Sequence, residues 1–555
     1  MKLKTFLWIL FYVTGCTLIY FWLNDSSWIG IDDANIYFVY MRNLAAGHGF
    51  VFNLDGERVE GVTSLLWTLI GGVFFYFFEY PNIALLLLNI VLITIVFYKI
   101  NLFFVRLSLH DCKADSYRWI LLITLLPVIP GFFEWTVLSL LETGLWCFLL
   151  IIFSLMILEL SSSTHRIRYY TIAGVLVFFM VLTRPESMVW VPFFIFFNAS
   201  KEYVLNRKTK SIFFYNLSLL AVFVTSLVFL IVWRISYFGY PFPNTYYAKV
   251  STSFTRNLFL GGKYIVGFLL YNPLFLIILV LNILFFIRLF MAEKLKFITQ
   301  KKYFNFLFLF SLFLLALLVP LYTGGDYFAN YRFMQPVIPL VLLSFFFTDY
   351  AQRVKLTGKH IISLAVAVFF SSYYNYNLLY KRESKLAHEF KVAKNERYHS
   401  SELNKLFSGC MRYPTQGVMA AGGCGFVYKG KTMDMLGLNY VKMAHADKSN
   451  DGILMKNHAG FSKSVFFEEE PDLFWIAGDF SEPGDLLKVL EVSNFNKLIF
   501  KQIQDDSRFK KHYVNCLISR IGYDKILRIF AKRSFLDQLD KNVFTVQEVL
   551  CPFNR

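Results

Sequence analysis

The chain has 555 residues, of which 56% are hydrophobic, 19% aromatic and only 17% charged, a balance that excludes a soluble enzyme and implies repeated membrane spans. The formal net charge of +17 does not point to nucleic acid, because much of the basic excess lies in short loops between apolar blocks, where positive charge marks the cytoplasmic side. Residues 1–379 read as those apolar blocks, whereas residues 380–555 carry mixed charge and ordinary globular composition, long enough to bury a core of their own.

In chain order, the opening "MKLKTFLWILFYVTGCTLIYFWLND" has the charged flank of a signal peptide but no small-residue cleavage site, and it reads as an uncleaved first span. Further spans of about 20 apolar residues are expected near 62–104, 119–133, 143–160, 169–183, 187–198, 212–236, 264–287, 303–322, 333–348 and 360–378. Five loops between them are basic: Lys99, Arg106, Lys113 and Arg118; Arg166 and Arg168; Lys201, Arg207, Lys208 and Lys210; Arg288, Lys294, Lys296, Lys301 and Lys302; and Arg353, Lys355 and Lys359. With Lys2 and Lys4 these belong inside. The acidic 24–61 loop, with Asp25, Asp32, Asp33, Asp55, Glu57 and Glu60, then falls outside, as does the tail. The 62–104 segment holds two apolar runs where the charge pattern allows one net crossing, so the first is expected at the outer interface or re-entering. The count is about 11 transmembrane helices.

This threading gathers the unusual polar motifs on the outer face: "GIDDANIY", "GERVEGVTS", "LLETGLW", "TRPES", "FGYPFPNTYYAK" and "GGDYFANYR". Ionisable groups near a bilayer are costly and are kept for a task or a partner, so their convergence implies a shared cavity. Asp32 is suited to accept from the free N–H groups that begin a helix, and Asn35 to Ala46 is expected as a helix along the membrane surface, ended by Gly47 and Gly49. Adjacent helical residues point about 100° apart, so Asp32 and Asp33 play different parts: one caps while the other faces the cavity, or both merely cap.

Pro185 favours a helix break beside Arg184, which suits a phosphate group; the alternative is an Arg184 paired with Glu186 or Glu142. Pro241 and Pro243 hold an extended loop before Asn244, where Tyr246, Tyr247 and Lys249 offer stacking faces and a cation, or an interfacial aromatic belt. Asp326 and Arg332 follow a glycine pair and either serve a ligand or pair with each other. "AGGCGFVYKG" lacks the spacing of a nucleotide loop and is discounted. His48 reads as solvated. In the tail, strand-like "GVMAA" and "DLFWIAG" alternate with helix-like "GDLLKVLEVS", implying an α/β or α+β domain; Trp475, Tyr428 and Tyr440 are candidates for stacking on sugars or for core packing. Of seven cysteines, Cys16, Cys112 and Cys147 fall in the membrane part and Cys410, Cys424, Cys516 and Cys551 in the tail. A Cys410–Cys424 disulfide and unpaired thiols are both open.

With these residues assembled, the chain resembles the GT-C class of polytopic glycosyltransferases, and within it the family of the bacterial terminal β-(1→2)-arabinofuranosyltransferase and its uncharacterised relatives. The resemblance runs in order through "DDANIYFVYMRNLAAGHGFVFNLDGERVEGVTSLLW", "LLETGLW", "TRPES", "GYPFPNTYYAK", "GGDYFANYRFMQPVIPL" and "DMLGLNYVKMAH". It implies a GT-C fold at residues 1–379 with an extracytoplasmic soluble domain at 380–555, in the bacterial inner membrane with the active site on the periplasmic side. It further implies an inverting transfer of sugar, arabinofuranose in the named family, from a polyprenyl-phosphate donor to a glycan or glycolipid acceptor of the cell envelope, such as lipopolysaccharide. The catalytic acid in the first outer loop maps to Asp32 or Asp33, the first being favoured. The chemistry asks for a base on the acceptor hydroxyl, cations on the departing phosphate and a carboxylate field for the oxocarbenium-like centre. The candidate donor and substrate residues are Glu60, Glu142, Arg184, Glu186, Asn244, Tyr247, Lys249, Asp326 and Arg332. No cofactor is assigned by this reading, and metal dependence stays open: Asp33 with a second acid is a candidate pair for a divalent cation (Mg2+, Mn2+ or Ca2+). The rival reading is a transporter or flippase of lipid-linked sugars, which wants polar groups at mid-membrane and often inverted repeats.

Overall fold

The computed structural model describes residues 2–24, 26–108, 114–161, 165–206, 209–249, 254–349, 358–379, 386–446, 452–453, 460–482 and 492–550. Asp25, Cys112, Lys113, Arg207, Lys208, Arg353, Lys355 and Cys551 lie outside the described residues. Six described helices are long and apolar enough to cross a membrane: Leu3–Leu23, Pro81–Arg106, Arg166–Thr183, Phe213–Phe238, Pro273–Glu293 and Tyr303–Thr323. Shorter apolar helices cover Leu65–Phe77, Trp119–Val128, Thr143–Glu159, Gln335–Phe346 and Gly358–Phe370. Against about eleven expected spans, length and composition alone support six.

Prolines set the differences. The 62–104 run splits into helices Leu65–Phe77 and Pro81–Ser108, and the 264–287 run into Phe254–Tyr271 and Pro273–Glu293. Pro81 and Pro273 each open the second helix, where the missing N–H costs nothing and the fixed φ suits a first turn. The 13 residues of Leu65–Phe77 make about 20 Å of helix, short of the hydrocarbon thickness. Its Gly71 and Gly72 let it lie against the Asp32–Ala45 helix, since a Cβ on Gly71 runs into Met41 and one on Gly72 meets Leu44 at 3.0 Å.

The Asp32–Ala45 helix differs from its sequence reading. It starts at Asp32 rather than Asn35, its N-cap is Ile31 with no side-chain cap, and 10 of its 14 residues are buried. It is not a surface helix with one wet face: it is sandwiched between the Leu65–Phe77 helix and a short helix of the carboxy-terminal part, Ala421–Val427. Gly47 and Gly49, both at positive φ, end it as expected, a conformation that favours glycine.

After the apolar Gly358–Leu379 helix, the charged Leu386–Leu406 helix leads into a six-stranded mixed sheet. In chain order the strands are β1 (Gln416–Val418), β2 (Thr432–Asp434), β3 (Gly452–Ile453), β4 (Phe461–Ser462), β5 (Leu473–Ser481), β6 (Tyr513–Arg520), β7 (Ile526–Lys532) and β8 (Phe544–Glu548). The sheet order is β2-β1-β5-β7-β6-β8, with β1 parallel to β2 and β5 and the rest antiparallel, while β3 and β4 form a separate pair. Val418, Phe474, Ile476, Ile518, Ile529 and Ala531 are buried in its core. Cys410 and Cys424 are both free thiols, so the disulfide alternative does not hold.

Candidate active site

The opening aspartate pair is split between two tasks by geometry. Asp32 does cap a helix, but not its own: its Oδ2 accepts from the Gly422 N–H at 3.1 Å and its Oδ1 from the Gly423 N–H at 2.8 Å. Those donors open the Ala421–Val427 helix, whose other end is met by Arg42, donating to the Phe426 carbonyl at 2.7 Å. One helix thus offers an anion to the positive end of its neighbour and a cation to the negative end, the arrangement that complements a helix dipole. The glycines of "AGGCGFVYKG", discounted in the sequence, are what permit this approach. A Cβ on Gly422 runs into the Asp32 carbonyl oxygen, and one on Gly423 lies 2.9 Å from the Ala393 carbonyl oxygen and the Glu396 side chain.

Asp32 is only 7% exposed. Burial lifts its carboxyl to about 7, opposed by the two glycine N–H groups and reinforced by the nearby charges of Glu396 and Asp33. Asp33 is more open, with 23% of its side chain exposed and the Lys249 ammonium 4.0 Å away. Asp32, Asp33 and Lys249 all line a cavity of about 980 Å³ between the helical body and the carboxy-terminal domain. Its other wall comes from the Leu386–Leu406 helix, with His388, Glu389, Asn395, Glu396 and His399, and from β5, with Trp475 and Asp479. Burial, and then the charges of Asp33 and Asp32, push Glu389 up to about 8.

Behind this cavity stands a network of paired charges. Arg184 donates to Glu142 at 3.0 Å and to Glu186 at 2.9 Å, with Arg184 and Glu142 buried and Glu186 nearly so, and the ion pairs outweigh burial so that Arg184 holds its proton more tightly than usual. The Arg184–carboxylate alternative is the observed one: its guanidinium faces two acids. Arg332 donates to Asp326 at 3.0 Å and lies over the Phe328 ring at 4.5 Å. Arg332 and Lys249 both act electrostatically on Asp326, and Arg332 also feels Asp33 and Arg184, so the "LLETG", "TRPES", "GGDYFANYR" and "DDANI" motifs do converge.

Of the nine donor and substrate candidates only Lys249 lines the cavity; Glu142, Arg184, Glu186, Asp326 and Arg332 belong to the charge network just described, and the remaining three make other contacts. Glu60 forms a two-point pair with Arg234, both distances 2.8 Å. Asn244 donates to the Gly437 and Leu438 carbonyls, and its N–H to the Glu60 carbonyl at 3.0 Å. Tyr247 stacks on His445 at 4.2 Å. Tyr40 donates to Asn439, and Asp434 folds the same loop by accepting from the Leu436 and Asn439 N–H groups. The "GERVEGVTS", "PNTYYAK" and "DMLGLNY" motifs therefore meet one another, as a lock between the helical body and the carboxy-terminal domain. Of the aromatic candidates in the tail, Trp475 lines the cavity, whereas Tyr428 is buried and donates to the Pro414 carbonyl.

Glu389, Glu396 and His399 escaped the sequence reading, although "HEFKVAKNERYH" places cavity-lining residues at 388, 392, 395 and 399, the spacing of one helix face. A hard cation takes several oxygen ligands. Among the described residues no three His, Cys, Asp or Glu side chains come together as a metal site.

The fold is similar to that of a solved membrane oligosaccharyltransferase, and the likeness is one of architecture alone. One such structure is the apo form of the Archaeoglobus fulgidus oligosaccharyltransferase, which aligns over 97% of this chain and 75% of its own, with a TM-score of 0.50 and 12% identity. Two further structures of that protein superpose less closely, both with a TM-score of 0.44. The one with zinc and sulfate covers 94% of this chain and 73% of its own at 10% identity; AglB with an inhibitory peptide and a dolichol-phosphate covers 97% and 75% at 13%. No family model and no curated protein matches the chain.

Proposed function

We propose that the chain is an inverting glycosyltransferase that moves a sugar from a polyprenyl-phosphate carrier to a hydroxyl of a cell-envelope glycan or glycolipid. The observation that carries this reading is the cavity of about 980 Å³ in which two acids, Asp32 and Asp33, face one cation, Lys249. Asp32 is assigned as the base. A carboxyl raised to about 7 is near the optimum for taking a proton at neutral pH, and the two glycine N–H groups fix its orientation while lone pairs remain for the acceptor hydroxyl.

In the reaction the acceptor oxygen forms its bond to the anomeric carbon as the bond from that carbon to the lipid phosphate breaks. The hydroxyl proton passes to Asp32, and the phosphate leaves toward Lys249, with Arg332 adding positive potential. Asp33 faces the positive charge that develops on the sugar ring. Direct displacement inverts the anomeric centre. By resemblance the sugar is arabinofuranose and the setting is the bacterial inner membrane with the cavity open to the periplasm. The fold likeness to a transferase lends the transporter reading no support.

The test is reconstitution of the purified chain in liposomes with synthetic polyprenyl-phospho-arabinofuranose and an envelope glycan. The expected result is one added pentose by mass spectrometry, inverted by NMR, and release of polyprenyl phosphate. Intact donor that merely crosses the bilayer refutes the transferase reading in favour of transport.

A further inference from the structure

We propose that the carboxy-terminal wall of the cavity, built on His399, Trp475 and Asp479, is the acceptor subsite, and that it selects an uncharged, hydroxyl-rich carbohydrate. This deepens the transferase reading and rests on it.

The wall is built by a defect in the sheet. The register of β5 against β7 shifts between Phe474 and Asp479, and such bulges re-aim side chains beside functional sites. Gly478 completes the bend: a Cβ there lies 2.6 Å from the Trp475 ring, so a side chain at 478 displaces the indole. On the ring stacks His399, with centroids 5.1 Å apart and planes 15° from parallel, and the His399 Nε2 lies 3.3 Å from the Asp479 carboxylate.

Two polar groups are left over. With Nε2–H donated to Asp479, the His399 Nδ1 is an acceptor, and it is buried without a hydrogen-bond partner among the described residues. The Trp475 indole N–H is likewise unmatched, on a side chain only 8% exposed that lines the cavity. Buried groups of this kind normally find partners. Asp479, 44% of whose side chain is exposed, adds an open carboxylate. A donor, an acceptor and a carboxylate around one aromatic stack suit adjacent hydroxyls, each of which both donates and accepts.

Charge decides what is refused. Lys249 stands on the helical-body side, whereas Glu396, Asp479 and Glu482 line the other wall. Lys525, the cation on that wall, is committed to Glu402 at 2.7 Å and to the Tyr398 hydroxyl at 2.9 Å. A phosphate is repelled from this wall and drawn to Lys249, while a neutral glycan meets no such cost.

The experiment uses the full chain in nanodiscs and measures binding of neutral arabinan, mannan and galactan pentasaccharides and of the same arabinan carrying a terminal phosphate. At least one neutral pentasaccharide binds, the phosphorylated one binds more weakly than its parent, and Trp475→Phe and Asp479→Asn each weaken binding about tenfold. Gly262→Ala, whose new Cβ meets nothing within 4 Å, leaves glycan affinity intact. Equal affinity in both wall variants, preference for the phosphorylated glycan, or no neutral glycan bound overturns the subsite. The two readings fail separately. Glycan binding that keeps its sensitivity to the wall variants, with no transfer by the wild type, sinks the transferase reading alone; transfer with unchanged acceptor KM in both variants sinks the subsite alone.

Discussion

Gly422→Ala adds one methyl group where the Asp32–Ala45 helix and the carboxy-terminal domain touch. The new Cβ overlaps the Asp32 carbonyl oxygen and comes within 2.9 Å of Oδ1, so the Ala421–Val427 helix must retreat and stretch the 3.1 Å and 2.8 Å bonds to the carboxylate. Hydrogen bonds to a charged group contribute about 1.5–3 kcal/mol each, and overpacking costs about 1–3 kcal/mol. The gain in helix propensity returns at most about 1 kcal/mol. A net loss of about 3 kcal/mol corresponds to roughly a hundredfold faster hydrogen exchange across residues 421–427, if opening is local. Exchange mass spectrometry of the full chain in detergent reads this directly. Gly262→Ala is the control, because nothing lies within 4 Å of a Cβ at that helical position. Unchanged protection of 421–427 in Gly422→Ala, or the same loss in Gly262→Ala, refutes the docking described above.

Other outcomes follow from the same geometry. Because Asp32 acts ionised and its carboxyl sits near 7, initial transfer rates rise with pH through that value and level off above it. The same raised value makes the folded state hold a proton that the unfolded chain releases from 3.8 upward. The stability it lends at low pH therefore drains away between about pH 4 and 7, and melting curves of Asp32→Asn are flatter than wild type over that window. Arg184→Met strands Glu142 and Glu186 as buried acids and destabilises the chain by about 3–5 kcal/mol, seen as a lowered melting temperature that the added changes Glu142→Gln and Glu186→Gln largely restore. Asn244→Ala frees the Gly437 and Leu438 carbonyls at a cost of about 1–3 kcal/mol, and limited proteolysis then detaches the carboxy-terminal domain more readily than in wild type.

The membrane character, the apolar runs and the motifs around the aspartate pair are legible in the sequence because each rests on a local signal: composition, proline position, loop charge. Pro81 and Pro273 mark helix starts that an apolar window alone runs through. Pairing is less legible. Arg184 carries the same residue signal whether it meets a phosphate or two carboxylates, and only the fold brings Glu142, 42 positions away, to its Nη1. The partner of Asp32 is more remote still, 390 residues along the chain, and its donors are backbone groups of glycines, which carry no side-chain signature at all. The unpartnered indole of Trp475 depends on a register shift in β5, which "DLFWIAGDFS" does not announce. The helical spacing of His388, Asn395 and His399 was readable, but nothing in it says which way that face turns.

The most direct measurement is single-turnover transfer by wild type, Asp32→Asn and Asp33→Asn, each loaded with the same polyprenyl-phosphate donor. Loss of a general base slows the step by about 10²- to 10⁴-fold, so Asp32→Asn should fall by that factor while donor affinity persists. A wild-type rate in Asp32→Asn contradicts the assignment of this residue, and wild-type rates in both variants contradict the claim that this acidic pair drives sugar transfer.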